Sequence, residues 1–361
     1  MSVVHSDDSA EFSEVLVEIV RGDLVEAIHR GVIAVVAADG RLLASVGDPR
    51  RKMAYWRSSA KPFQSMPLVY QGVAGRFGLD SADLAICTSS HNGEPDHVAR
   101  VASVLNKVGL PPEYLACGTH APLHGGAADE LRRKGQPPNV LHNNCSGLHG
   151  GMLATALHTG AELPGYADGA HAVQQEILEN IGRFTELEPK EIIVGVDDCA
   201  SPCHGLSIYH MALAYARLMA PDGFVQDRYA AAAGTIREAM TAHPWLIAGS
   251  GRLDSDIMTA GAGSLVAKGG ASGVECVGVA GGIGIALKLE DGATGPAATG
   301  RPTTVALLEA LRQHGVLDPS AHERLREHAA PVLTTREGAV VGSARPAFTL
   351  DRRSHHRATL S

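Results

Sequence analysis

Arg57-Ser58-Ser59-Ala60-Lys61-Pro62-Phe63-Gln64 is the stretch on which the fold turns. It closes a β-like region, opens a helical one, and sets a serine and a lysine three residues apart at the junction. Residues three apart on a helix share a face, so the Lys61 amine is expected within reach of the Ser58 hydroxyl. Pro62 suits a first helical turn, where its missing N–H costs little. Ser58 would then sit at a helix N-terminus, whose free amides can support a developing oxyanion. A serine hydroxyl becomes a nucleophile only when a base takes its proton. A lysine can be that base if burial or a nearby cation lowers its pKa.

Upstream of this junction, β-like runs cover 14–20, 24–30, 31–38 and 41–46, with Asp39-Gly40 as a hairpin signal. Downstream, Phe63, Met66, Val69, Tyr70 and Val73 fall at helical spacing. Further helices are predicted over 96–108, 147–159, 170–184, 206–219 and 227–242, and a last one over 303–314. A short buried strand is expected at 192–196, and strands return at 264–267, 274–280 and 283–289, the last two joined by a Gly281-Gly282 turn. Strands at both ends of a helical middle predict an α/β chain of the α+β type. Its sheet is mostly antiparallel and flanked by helices, with the terminal strands side by side. No repeat or linker divides the chain. The expected organisation is a disordered tail over 1–12, one domain over 13–345 and a flexible tail over 346–361.

The 361 residues are 45% hydrophobic, enough for a sizeable core. A net charge of −8 with no basic stripe argues against nucleic-acid binding. No run approaches the roughly 20 apolar residues of a membrane helix. The acidic start MSVVHSDDSAEF lacks the pattern of a signal peptide, so a cytoplasmic location is expected. Six cysteines in a chain of this length do not make a disulfide framework. Cys87, Cys117 and Cys276 read as packed thiols, whereas Cys145, Cys199 and Cys203 lie in polar loops.

Two further segments join the junction. Thr88-Ser89-Ser90-His91-Asn92-Gly93-Glu94 follows an apolar run, where clustered polar residues often line a site. Val266-Ala267-Lys268-Gly269-Gly270 puts one lysine at the end of an apolar strand. In chain order, Ser-x-x-Lys, Ser-His-Asn and Lys-x-Gly follow the arrangement of serine β-lactamases and penicillin-binding proteins.

With these residues in hand, the chain resembles the bacterial asparaginase II family of the rhizobial inducible type. The matching segments are RSSAKPFQ (57–64), SSHNGEPDH (89–97), CGTHAP (117–122), NNCSGLHGGM (143–152), VDDC (196–199), AKGGASGV (267–274) and GGIGIALKLEDG (281–292). The resemblance implies a serine β-lactamase/glutaminase-like fold and hydrolysis of L-asparagine to L-aspartate and ammonia. It brings two Ser-Lys pairs into one site: the nucleophile is Ser58 or Ser90, and Lys61 and Lys268 are the activating amines. Of the two serines, Ser58 is the expected nucleophile. His91, Asn92, Glu94 and Asp197 are expected to bind the substrate's α-amino and α-carboxylate ends, Arg57 to face an anion and His149 to line the site. The family also carries zinc on two cysteines and a lysine. The cysteines fall on Cys145 and Cys199, but the lysine position is Leu148, which cannot ligate a metal, so a zinc site would need Cys203, His204 or His149 as its third ligand. Zinc is the one cofactor implied, and no organic cofactor is. The expected ligand is an amino-acid amide, and the expected assembly a homodimer. Three other readings stay open: a serine acyl hydrolase of β-lactamase or glutaminase type on another substrate, a ligand-binding relative without the chemistry, and a thiol-based zinc-binding protein.

Overall fold

The computed structural model of the chain describes residues 9–293 and 301–352. Within these, twelve strands run β1 (Glu14–Arg21), β2 (Leu24–Ala37), β3 (Leu42–Val46), β4 (Met53–Tyr55), β5 (Ile193–Val196), β6 (Pro202–Ser207), β7 (Leu265–Gly270), β8 (Val274–Val279), β9 (Ile283–Leu289), β10 (Val332–Thr334), β11 (Val340–Pro346) and β12 (Asp351–Arg352). The helices that matter for the site are α1 (Lys61–Ser65), α2 (Ser81–Cys87), α3 (Pro95–Val108), α4 (Ser146–Thr159), α5 (Ile208–Met219), α6 (Leu253–Gly261) and α7 (Pro302–His314).

Nine strands form the main sheet, in the order β10-β11-β1-β2-β9-β8-β7, with β3 beside β2 and β12 beside β3. Its pairings are all antiparallel. Strands from both ends of the chain therefore lie together, as strands at both ends of a helical middle predict. The expected break between 30 and 31 does not exist. β2 is one strand of 14 residues, pairing its first half with β1 and its second half with β3 and β9. No turn residue interrupts it, and the change from exposed to buried positions at Gly31 only marks where the strand enters the core. Val32, Ile33, Ala34, Val35 and Val36 are all fully buried, so both faces of the sheet are covered there. Helix α5 packs on β2, β8 and β9, and α7 on β1, β8, β9 and β11.

The contact of α5 with β9 is close because Gly284 has no side chain. A Cβ there would lie 1.8 Å from the Ala212 carbonyl oxygen of α5. Gly284→Ala is expected to destabilise the protein by about 1–3 kcal/mol through overpacking. The check is a lower urea midpoint at unchanged slope; an unmoved midpoint would show that the helix shifts freely.

Three expectations change in the middle of the chain. The helix expected from 206 begins at Ile208, after β6, and the Ser207 hydroxyl caps it by accepting the His210 N–H. Strand β5, expected to be buried, is mostly exposed, because it sits at the edge of a separate β4-β6-β5 sheet. The helical pattern after Lys61 breaks into Lys61–Ser65, Pro67–Tyr70 and Val73–Phe77. Pro67 and the left-handed Gly72 supply the breaks. At the C-terminus, residues 347–352 are not loose: Leu350 is buried, and β12 pairs with Ser45 and Ala44 of β3. Of the tail expected over 1–12, residues Ser9–Phe12 form a short helix, and the expectations for 1–8 and 353–361 lie outside the described residues.

Candidate active site

Three structural junctions converge on one place. The first is the turn of 3-10 helix Arg57–Ala60 that runs into α1. Arg57 has φ +53°, a conformation costly for a residue with a side chain, and two carboxylates hold its guanidinium. Nε and Nη2 donate to Asp197 at 3.0 and 2.9 Å, and Nη2 donates to Asp198 at 2.7 Å. The second is the C-terminal end of α2, started by a reciprocal Asp80/Asp83 capping box and followed by Thr88, Ser89 and Ser90. The third is β7, which lies along the 57–60 turn: the Ser59 hydroxyl donates to the Lys268 carbonyl at 2.7 Å.

Ser58 and Ser90 line one pocket of about 320 Å³, together with Asn92, Arg252, Asp254 and Glu275. Among the described residues, no hydrogen bond engages the Ser58 hydroxyl, which is partly exposed. The Lys61 amine turns away from it. Lys61 is buried, and its Nζ donates to the Ser89 carbonyl at 2.7 Å, the Ser90 hydroxyl at 2.9 Å and Cys145 Sγ at 3.2 Å. Three donors directed at three acceptors is the bonding of an ammonium group. The expected Ser58–Lys61 contact is thus replaced by Ser90–Lys61. Spacing brings Lys61 to the right face, but its side chain is long enough to reach the neighbouring loop.

Lys268 is fully buried, with Nζ donating to the Gly269 carbonyl at 2.7 Å and to Asp254 at 3.4 Å. Burial pushes its pKa down to about 8, and the positive charge of Lys61 pushes the same way against Asp254.

The other expected residues divide. Asn92 lines the pocket, with its amide donating to the Ser250 carbonyl at 3.1 Å and its oxygen accepting from Arg252 at 3.0 Å. His91 is buried, with one ring nitrogen on Ser146 and the other accepting the Gly93 N–H. Glu94 is taken up by the Ser250 N–H at 3.1 Å and hydroxyl at 2.7 Å. Asp197 and Arg57 satisfy each other. All five of these residues thus have hydrogen-bond partners within the protein, and of the five only Asn92 lines the pocket. His149 is held between the Tyr166 hydroxyl at 2.7 Å and the Ser201 hydroxyl at 3.0 Å. Burial lowers its pKa to about 3, so it stays neutral.

The donor set does not fit zinc. Cys145 and Cys199 are neighbours: a hydrogen bond from Cys199, then the charge of Lys61, pulls the Cys145 thiol below its ordinary pKa. The third family position is Leu148, buried in the core, and both nitrogens of the adjacent His149 are engaged. Among the described residues, no group of three or more His, Cys, Asp or Glu side chains could hold a metal ion. Lys61 supplies a positive charge beside Cys145.

Sequence reasoning missed Arg252, Asp254 and Glu275. The available signal was Glu275, a lone acid inside the otherwise apolar strand VECVGV.

An antiparallel sheet flanked by helices, with serines and buried amines around one pocket, suits an enzyme of the amidohydrolase class. The sequence model of the L-asparaginase II family matches residues 17–346, and the chain belongs to that family. No curated protein matches it. Among solved structures, the chain is similar to Mglu in its glutamate form, at 15% identity and a TM-score of 0.35, covering 81% of this chain and 63% of that one. It is also similar to Mglu in its tris and glutamate form, at 16% identity and a TM-score of 0.34, covering 85% and 65%. The chain thus spans less than two thirds of the length of these structures. Among the described residues, no helix is long and apolar enough to cross a membrane.

Proposed function

We propose that the chain hydrolyses the side-chain amide of L-asparagine to L-aspartate and ammonia, with Ser58 as nucleophile and Lys268 as base. The observation that carries this reading is the shared pocket: two serine hydroxyls face it, and two buried lysines adjoin the segments that bear them. Ser58 Oγ attacks the amide carbon while its proton passes to the Lys268 amine. The C–N bond then breaks, the proton leaves with the nitrogen as ammonia, and water hydrolyses the acyl ester. Lys61 holds the Ser90 hydroxyl in place and favours the neutral form of Lys268. This division of labour is supported by the bonding of the two amines. Lys61 has all three donors engaged, whereas Lys268 has two.

A cytoplasmic location is part of this reading, supported by six cysteines that are free and buried, as suits a reducing compartment. The enzyme is read as a homodimer, supported by the exposed apolar side chains of the small sheet, Met53, Tyr55, Ile193, Val194 and Val196.

The test is ammonia release by the purified chain from L-asparagine and L-glutamine. Release from asparagine is expected to exceed release from glutamine. Release from glutamine alone would move the substrate, and none from either would end the reading.

A further inference from the structure

Glu275 is a buried acid that the mechanism leaves unused. It stands on β8 directly opposite Gly269 of β7. Its residue is 7% exposed, it lines the pocket that holds Ser58 and Ser90, and no hydrogen bond or ion pair engages it among the described residues. The space over Gly269 is where its carboxyl lies: a Cβ on Gly269 would meet Glu275 Oε2 at 2.8 Å, Oε1 at 3.0 Å and Asp254 Oδ1 at 3.1 Å. Two carboxyl groups therefore converge over one glycine. Asp254 has partners there, accepting from Lys268 and from the Gly269 N–H at 3.0 Å. Glu275 has none.

A buried carboxyl without a partner is costly, so such a group in a pocket wall points to a ligand that completes it. We propose that Glu275 is the site that binds the α-ammonium group of the amino-acid substrate. This rests on the reading of the pocket as an amino-acid amide site. A cation is the ligand that fits. Burial, and then the negative charge of Asp254, push the Glu275 carboxyl well above the usual carboxylate range, against the pull of Lys268 and Arg252. An ammonium group arriving beside it supplies the missing counter-charge and up to three donors. Arg252, on the same wall, remains for the α-carboxylate. The pocket then selects a zwitterion, with the side-chain amide directed toward the serines.

The test needs ligands that differ only in the ammonium group and do not turn over. L-Aspartate and succinate meet this need, titrated calorimetrically into the full chain and into Glu275→Gln. Wild type is expected to prefer L-aspartate by about 30-fold, the size of a lost charged hydrogen bond. In Glu275→Gln that preference should fall to within about 2-fold, with succinate affinity unchanged. Melting temperature reports the fold, and Glu275→Asp, which keeps the charge but withdraws it, should lie between the two. A preference equal in wild type and Glu275→Gln overturns the proposal. So does a wild type that binds both ligands alike, or neither. If no amide is hydrolysed but the preference persists and depends on Glu275, the proposed activity fails while this binding site stands.

Discussion

Lys268→Met is expected to lower kcat for asparagine hydrolysis by about 10³-fold, within the range for removal of a general base. Methionine keeps the length and burial of the side chain but cannot accept a proton. The pH profile gives the sharper readout. With the amine's pKa near 8, the neutral fraction of Lys268 grows as pH rises, so wild-type kcat/KM should climb through about pH 8. That limb should vanish in Lys268→Met. The substitution also leaves Asp254 buried without its cation, a change that destabilises proteins by about 3–5 kcal/mol. Lys268→Met with Asp254→Asn removes both charges, and it should recover stability without recovering activity. A variant that is folded, active and still shows the rise near pH 8 would assign the base elsewhere.

Ser58→Ala is expected to cost about 10⁶-fold in kcat, as loss of the covalent nucleophile does in other serine hydrolases. Because Ser58 and Lys268 act in one step, the double variant should be no slower than the slower single variant. Quenching wild type during turnover and locating the acyl group by peptide mass spectrometry checks the assignment directly. The acyl group is expected on the peptide that carries Ser58. An acyl group on the Ser90 peptide, with Ser58→Ala still active, would transfer the nucleophile's role to the hydroxyl that Lys61 already contacts.

The gross fold was legible because the apolar pattern changes period where the elements change: alternating or continuous before Arg57 and after Leu265, helical between. What was lost were elements whose residues carry no such pattern. Strand β6 reads Pro-Cys-His-Gly-Leu-Ser and forms through pairing with β4 and β5, contacts far apart in the chain. The site was half legible. Ser58, Lys61, Ser90 and Lys268 stand in short motifs; the two serines do line one pocket, and the two lysines lie buried behind it. The direction of the Lys61 side chain depends on the Ser89 carbonyl and on Cys145, which reach it only in three dimensions. His91 and Glu94 share a segment with Asn92, yet only Asn92 lines the pocket, while their polar atoms bond to Ser146, Gly93 and Ser250. Spacing cannot tell a side chain that faces ligand from one that braces its neighbour. Glu275 and Arg252 belong to no motif, and only burial and pairing single them out.

The last strand bears on how the protein should be handled. Asp351 and Arg352 run beside β3, the Leu350 N–H donates to Gln313 at 2.7 Å, and Arg352 donates to the Gln313 carbonyl of α7. Trimming the gene at 345 would strip β3 of its outer neighbour and bare the seat of Leu350, leaving an open sheet margin on which other chains could assemble. Purification handles and shortened versions should therefore join the chain beyond residue 352.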